Sequence, residues 1–402
     1  MNITIISNNY YPEDSGIGLY SSDMAEFLAI NNKVTVITGF PYYPQWQIHS
    51  KYKAKTIYFK EVVNNVTVYR FKQFTPKKPK FLNRIVQMVH FFFGSIYNVF
   101  KIQKSDVIIV VIPFTISILL GLLIKLLKGG KIVIHIQDFE FDAAFETGLA
   151  SKKKLLFNIV TFIEKTLLNK ASFISTISIG MLEKLQTKTK KETCYFPNWI
   201  DYKKINPATK KPFSIYKTDK FNILYSGNIG AKQDWDFFIE FAIKIQSIPN
   251  AQIILIGDGA KKDEVIKKTA CLKNVTYLPP VKYEVLNDVL CGADLHILFQ
   301  KPTVIDTVMP SKILGMMASE IISIVTGHEN SEVKHNFKIS KGGYYYYQED
   351  KLEKIFLKIK KLIELKGSVS DVGKNARLFV IENFSKNKVL FEYEKKLLTL
   401  KN

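Results

Sequence analysis

Tyr195–Tyr216, YFPNWIDYKKINPATKKPFSIY, is the stretch on which the fold reading turns. It sets Pro197, Pro207 and Pro212 among many polar residues, a composition that reads as a linker. On both sides of it, short apolar runs alternate with amphipathic ones. Before it, strands are expected at Ile3–Ser7, Val34–Thr38, Val66–Phe71, Val107–Ile112, Ile132–Ile136 and Phe173–Thr176. Helices are expected over Leu19–Ile30, Leu82–Ile102, Ile116–Leu127, Lys154–Asn169 and near Met181–Leu185. After it the alternation restarts. Strands fit Phe221–Tyr225, Gln252–Ile256, Val275–Leu278, Leu295–Phe299 and Ile321–Val325, and Gly342–Tyr347 reads as one more. Helices fit Trp235–Gln246, Lys261–Thr269, Tyr283–Leu290, Ser311–Ser319 and, at the end, Ser385–Leu400. Such alternation builds a parallel sheet covered on both faces. The expected fold class is therefore α/β, with two doubly wound parallel-sheet domains at 1–195 and 216–384. A linker at 196–215 joins them, and a terminal helix occupies 385–402.

The totals agree with two domains: the chain has 402 residues, 47% of them apolar. Its formal net charge is +21, from 57 basic against 36 acidic residues, and the only arginines are Arg70, Arg84 and Arg377. Readers of nucleic acid rely on arginine for base edges and phosphates, so an anionic membrane surface or a small anion fits this lysine excess better. A lysine-rich compositional bias accounts for much of it equally well. Cys194, Cys271 and Cys291 are scattered and not at metal-ligand spacing, which points to a reducing cytoplasm and no metal. MNITIISNNYYPED reads as a strand with no basic region ahead of it, so no signal peptide is expected. The run Val107–Leu127 contains Pro113 and Lys125 and reads as a buried strand and helix rather than a span.

In open parallel sheets, ligands sit beyond the carboxyl ends of the strands, so the loops there hold the candidates. Gly16 and Gly18 form G-x-G-x-x-S after the first strand, one glycine short of the dinucleotide fingerprint. The second strand ends VTVITGFPYYP, without the acid that holds a ribose in nicotinamide enzymes. A phosphate at the helix start and a tight turn without ligand fit this loop equally. In YSGNIGAKQDW, Gly227, Asn228 and Gly230 lie at the end of a strand and Lys232 follows, a setting suited to a diphosphate or to a solvated lysine. In LIGDGAKK, Gly257 and Gly259 allow close approach, and Asp258 is expected mainly to cap the next helix. DTVMPSKILGMMASE is the most informative loop. Pro310 and Ser311 open a helix, and Lys312 stands in its first turn, where a cation is disfavoured unless an anion lies between. In IVIHIQDFEFDAAFE, Gln137, Asp138, Glu140 and Asp142 suit a base or sugar hydroxyls, or ordinary capping, while His135 reads as a core histidine. Two basic amphipathic segments, FLNRIVQMVHFFFGSIYNVFKIQK with Phe91, Phe92 and Phe93 and SKKKLLFNIVTFIEKTLLNK, fit a bilayer interface or a core helix with a solvated face.

NYYPEDSGIGLYSSDMAEFLA, VTGFPYYPQW, IHIQDFEFDAAFE, FPNWID, YSGNIGAKQ, IGDG and MPSKILGMMAS, in this order, resemble the bacterial glycosyltransferases of O-antigen and colanic-acid synthesis within glycosyltransferase family 4. The branch most resembled transfers fucose or N-acetyl-L-fucosamine. The resemblance covers nearly the whole chain and implies the GT-B fold, two Rossmann-like domains facing a central cleft, with the last helix crossing back to the first. It implies a retaining, metal-independent transfer from a nucleotide-sugar co-substrate, UDP- or GDP-linked, bound by the second domain. The first domain would take a polyprenyl-diphosphate-linked saccharide acceptor, at the inner face of the cytoplasmic membrane. By position it implies that Gly16 and Gly18 lie near the donor diphosphate and that Gly257, Asp258 and Gly259 lie on the nucleotide side. Gly227, Asn228, Lys232, Pro310, Ser311 and Lys312 would hold the phosphates. Asp138 would serve, with Lys232 and Lys312, in catalysis. The wider family has two glutamates where this chain has Thr307 and Gly315, which leaves Asp306 as the candidate for the ribose. The rival readings are a non-hydrolysing sugar-nucleotide epimerase, which shares the fold, and a non-catalytic scaffold of a polysaccharide assembly complex.

Overall fold

The computed structural model describes residues 1–77, 81–139, 154–304, 311–365 and 370–401. It divides into two units, Met1–Pro197 with Leu390–Asn402, and Asn198–Val389.

The first unit carries an eight-stranded sheet: β1 (Asn2–Ile6), β2 (Lys33–Gly39), β3 (Tyr58–Val63), β4 (Val66–Phe71), β5 (Val107–Ile112), β6 (Lys131–Ile136), β7 (Phe173–Thr176) and β8 (Glu192–Tyr195). Their order is β3-β4-β2-β1-β5-β6-β7-β8. Every residue of β5 is buried, as a strand with helices on both faces requires. Helices α1 (Gly16–Leu28), α2 (Ser50–Lys53), α3 (Phe81–Lys101), α4 (Ser117–Lys128), α5 (Lys154–Leu168) and α6 (Ile179–Gln186) follow in chain order. The sheet is not wholly parallel. β3 pairs antiparallel with β4 through a hairpin at Asn64 and Asn65, whose φ angles are 47° and 64°. Two left-handed residues in a two-residue turn match the twist of the strands they join. β3 alternates exposed and half-buried residues, as an edge strand does, so it lacks the apolar run that marks its neighbours.

The second unit is a six-stranded parallel sheet of β9 (Phe221–Ser226), β10 (Ala251–Ile256), β11 (Val275–Leu278), β12 (Leu295–Phe299), β13 (Ser323–Thr326) and β14 (Tyr344–Tyr346), ordered β11-β10-β9-β12-β13-β14. Its helices are α7 (Trp235–Ile245), α8 (Lys262–Thr269), α9 (Leu286–Gly292), α10 (Ser311–Ala318), α11 (Glu332–Ser340), α12 (Lys351–Glu364) and α13 (Ser370–Phe384). The stretch read as a linker is docked on this unit from Asn198 onward. Ile205 is buried in its core, Asn206 N donates to Asn287 Oδ1 at 2.7 Å, and Lys211 N donates to Asp288 Oδ1 at 2.8 Å. Arg377 on α13 donates to the carbonyls of Ile205 at 2.7 Å and Tyr202 at 3.2 Å, pinning the segment.

The last helix, α14 (Lys386–Leu398), belongs to the first unit from Leu390 onward. There Tyr393 stacks on Phe196 with 3.7 Å between ring centroids, and Glu394 accepts from Asn32 Nδ2 at 2.7 Å.

Candidate functional site

The switch point of the second sheet lies between β9 and β12, where the strand order turns from one direction to the other. Ligands collect at such a point because the two flanking loops diverge and leave a crevice. The loop after β9 and the start of α10 meet here. Lys312, the second residue of α10, donates through Nζ to Tyr225 Oη at 3.1 Å, and its ammonium stands 4.7 Å from the centre of the Tyr225 ring. Tyr225 is buried, and its hydroxyl donates onward to the Asn228 carbonyl at 2.7 Å. Lys312 lies so close to the backbone at Gly227 (φ 136°) that a Cβ there would be 3.0 Å from Nζ. An ammonium has three donors. No carboxylate among the described residues pairs with this one. Burial holds its pKa down to about 8.

An ammonium whose charge is disfavoured by burial gains from an anion placed beside it. Because the bound anion favours the charged form, affinity for a nucleoside diphosphate is expected to be nearly flat between pH 7 and pH 8. Above that it falls about tenfold per pH unit, until the pKa of the bound state is passed. Calorimetric titration of UDP between pH 7 and pH 10 checks this, and Lys312→Met removes the pH dependence.

The other loops of this unit interlock. Gly227 N donates to Ile256 O at 2.9 Å, Ile229 N to Asp258 O at 2.8 Å, and Lys261 N to Ile229 O at 2.9 Å. A Cβ on Gly257 would lie 1.9 Å from the Gly227 oxygen, and one on Gly259 would lie 2.4 Å from Asn228 Oδ1. The close approach that these glycines permit is thus that of the chain's own atoms, the Gly227 and Ile229 backbone and the Asn228 side chain. Asp258 does not cap α8. Its Oδ1 accepts from Gly259 N at 2.8 Å and pairs with Lys262 at 3.1 Å, and the cap position is held by Lys261 without a side-chain bond. Asn228 is exposed. Lys232 is exposed too, and its carbonyl accepts from Lys301 N at 3.1 Å just beyond β12, at the switch point. Gly315 is buried in α10, where a Cβ would meet Leu290 Cδ1 at 3.3 Å. Ser311 is the first residue of α10, while Asp306, Thr307 and Pro310 lie outside the described residues.

In the first unit, Gly16 takes φ 57° at the start of α1, a left-handed value that favours glycine. Gly18 has a different reason. A Cβ there would stand 2.6 Å from Glu13 Cβ and 2.8 Å from Glu13 Oε2. Glu13, which the sequence reading did not single out, is buried, and desolvation raises its pKa to about 7 against the pull of three hydrogen bonds. Asp138 is exposed two residues past β6, and Glu140 and Asp142 lie outside the described residues. His135 is a core residue as expected. Gln137 Nε2 lies 2.8 Å from its Nε2, Ser175 Oγ lies 3.0 Å from its Nδ1, and burial pushes its pKa down to about 3. His296 is likewise buried, with Nε2 at 3.0 Å from Leu290 O and 3.1 Å from Ser319 Oγ, and its pKa is pushed down to about 4. Neither imidazole is placed to exchange protons with a substrate.

Residues 220–365 match the family model for glycosyl transferases group 1. The chain is 32% identical over 348 residues to WcaI of Escherichia coli (strain K12), named as a colanic acid biosynthesis glycosyl transferase, covering 83% of this chain and 85% of that one. The chain belongs to the group 1 glycosyltransferases and is an enzyme of that class. Two solved structures of the same fold are sucrose-phosphate synthase from Thermosynechococcus elongatus and Anabaena Alr3699/HepE in complex with UDP-glucose. The first has a TM-score of 0.72 at 14% identity, covering 99% of this chain and 98% of that one. The second has a TM-score of 0.69 at 14% identity, covering 99% and 100%. The fold is that of the GT-B glycosyltransferases.

Proposed function

We propose that the chain is a retaining glycosyltransferase of surface-polysaccharide synthesis. It moves a sugar from a UDP- or GDP-linked donor to a lipid-linked saccharide acceptor at a membrane surface, without a metal ion. The observation that carries this reading is Lys312, a desolvated ammonium with a single hydroxyl partner among the described residues, at the switch point of the second sheet. When the bond between the anomeric carbon and the donor oxygen breaks, its electron pair moves onto the β-phosphate. Lys312, with Lys232 and the amide groups at the start of α10, stabilises that charge, as fixed donors do where charge develops. The acceptor oxygen then attacks the anomeric carbon from the side the phosphate leaves, and its proton passes to the phosphate oxygen. Asp138 is assigned to sugar hydroxyls. The WcaI likeness supports surface polysaccharide, and the HepE complex supports a UDP-linked donor. The resemblance to the fucosyl branch makes an L-fucose-type sugar the first to try. A thermal-shift screen of UDP- and GDP-sugars tests the reading. A rise with one nucleotide class is expected, and no rise with any of them overturns it. The rival epimerase would convert a sugar nucleotide with no acceptor present, and such conversion would overturn the transferase reading.

Support for the membrane surface comes from α3. Leu82, Val86, Val89, Phe93, Tyr97 and Phe100 are all exposed and recur at three- and four-residue steps, which puts them on one face; Leu82 is 72% exposed, Phe93 63% and Phe100 60%. Of the three adjacent phenylalanines, Phe91 is buried and Phe93 faces outward. Leu126 on α4 and Phe162 on α5 add exposed apolar surface to the same unit, 80% and 72% exposed. Among the described residues no helix is long and apolar enough to cross a membrane. The protein is expected to sediment with vesicles containing anionic lipid, to be released as salt screens its lysines, and to bind about tenfold more weakly as the double variant Phe93→Glu, Phe100→Glu. Equal sedimentation of the variant would remove α3 from the interface.

A further inference from the structure

Two loops of the first unit are fixed to each other by buried polar side chains that the transfer step does not use. Glu13, 5% exposed, accepts through Oε1 from Tyr42 N at 2.8 Å and Tyr43 N at 2.9 Å. Through Oε2 it accepts from Asn9 Nδ2 at 2.8 Å. From the other side Arg70, fully buried, donates to Tyr11 O at 2.6 Å and Gly39 O at 3.2 Å, and pairs with Glu61. The turn before α1 and the loop after β2 are therefore each held at two points. Between them lies a cavity of about 170 Å³, walled in part by Asp14, Tyr43, Gln45, Gln47 and His49 beside Glu13. Its volume is below the roughly 300 Å³ at which drug-sized pockets begin, so it suits one small ring. Its lining sets an aromatic ring beside amides, carboxylates and an imidazole. A pyranose offers a C–H face to the first and hydroxyls to the rest.

We propose that this cavity is a subsite for one pyranose ring of the sugar acceptor, and that Glu13 is the positioning residue that fixes its walls. The assignment rests on the transferase reading. Loss of the Glu13 carboxylate frees the Tyr42–Tyr43 backbone and opens the cavity. Gly18→Ala has the same consequence without removing the carboxylate, because the new methyl displaces it.

The test is saturation-transfer NMR on the full chain. The probes are methyl glycosides of glucose, galactose, N-acetylglucosamine and L-fucose, with UDP and GDP affinity measured on the same samples. One glycoside is expected to bind the wild type and to bind about tenfold more weakly to Glu13→Ala and Gly18→Ala, the equivalent of about 1.4 kcal/mol. Glu13→Gln should restore most of the affinity, since its amide oxygen still accepts from both backbone groups and its nitrogen can donate to the Asn9 side chain once that amide turns over; a merely destabilised chain would not show that rescue. Gln45→Trp, on the exposed rim, should block binding with the clamp intact, which covers the case in which Glu13→Ala fails to fold. Glycoside binding to none of the wild-type samples, or binding to Gln45→Trp and Glu13→Ala that is undiminished from the wild type, overturns the subsite. Failure of the wild type to bind either nucleotide overturns the transferase reading itself, and the subsite with it.

Discussion

Lys312→Met is expected to lower turnover of the donor sugar by about a hundred- to a thousand-fold, the loss seen when one fixed donor to a developing anion is removed. Methionine keeps the length and apolar stem of lysine but has no charge. The fold should not suffer. The native environment disfavours the ammonium, holding its pKa at about 8 against an ordinary 10.5. Between those values the unfolded chain binds the proton and the native chain releases it, so wild-type stability rises with pH across that window. Below pH 8 the folded chain carries the full cost of the buried charge, and the methionine variant is relieved of it. Release of the nucleoside diphosphate, followed at pH 7 beside a melting curve, checks both halves. A fall in turnover with an unchanged or higher melting temperature is the expected result. Equal turnover removes Lys312 from the phosphate role.

Gly257→Ala is the second large effect, and it acts on stability. Its methyl would stand 1.9 Å from the Gly227 oxygen, a backbone atom held by its own neighbours and unable to swing aside. Overpacking of this kind together with the strained backbone costs about 2–5 kcal/mol. The displaced Gly227 loop is the one against which Lys312 lies, so nucleotide affinity should fall as well. Gly315→Ala is the control. There the nearest atom is a leucine methyl at 3.3 Å, which can yield, and the change should cost less than about 1 kcal/mol. Urea unfolding of the two variants separates them; equal midpoints would show that the interlocked loops carry no strain.

The two sheets were legible because most of their strands are buried on both faces and therefore read as apolar runs, β5 above all. β3 was not legible, since an edge strand needs no such run, although the Asn64-Asn65 turn was a signal for the hairpin. Helices α11, α12 and α13 were also missed. In α12 the buried Ile355, Phe356, Ile359 and Leu362 do repeat at helical spacing within a lysine-rich stretch. At the site, Lys312 stood out because its charge conflicts with the start of a helix, a conflict visible within a few residues. Gly257 and Gly259 announced a close approach, but sequence does not say which atoms approach, and here they belong to the chain. Glu13 escaped notice because its partners, Tyr42 and Tyr43, lie 29 and 30 residues away. The nearer hint was Gly18, which is small because Glu13 lies under it.

The central claim is that the Lys312 ammonium and the amides around it take up a departing diphosphate. A crystal structure of the chain with bound UDP or GDP tests it most directly. The account expects a β-phosphate oxygen about 2.7–2.9 Å from Lys312 Nζ, the distance of a charge-assisted hydrogen bond. A phosphate bound elsewhere, with Lys312 paired instead to a carboxylate of the protein, would contradict it.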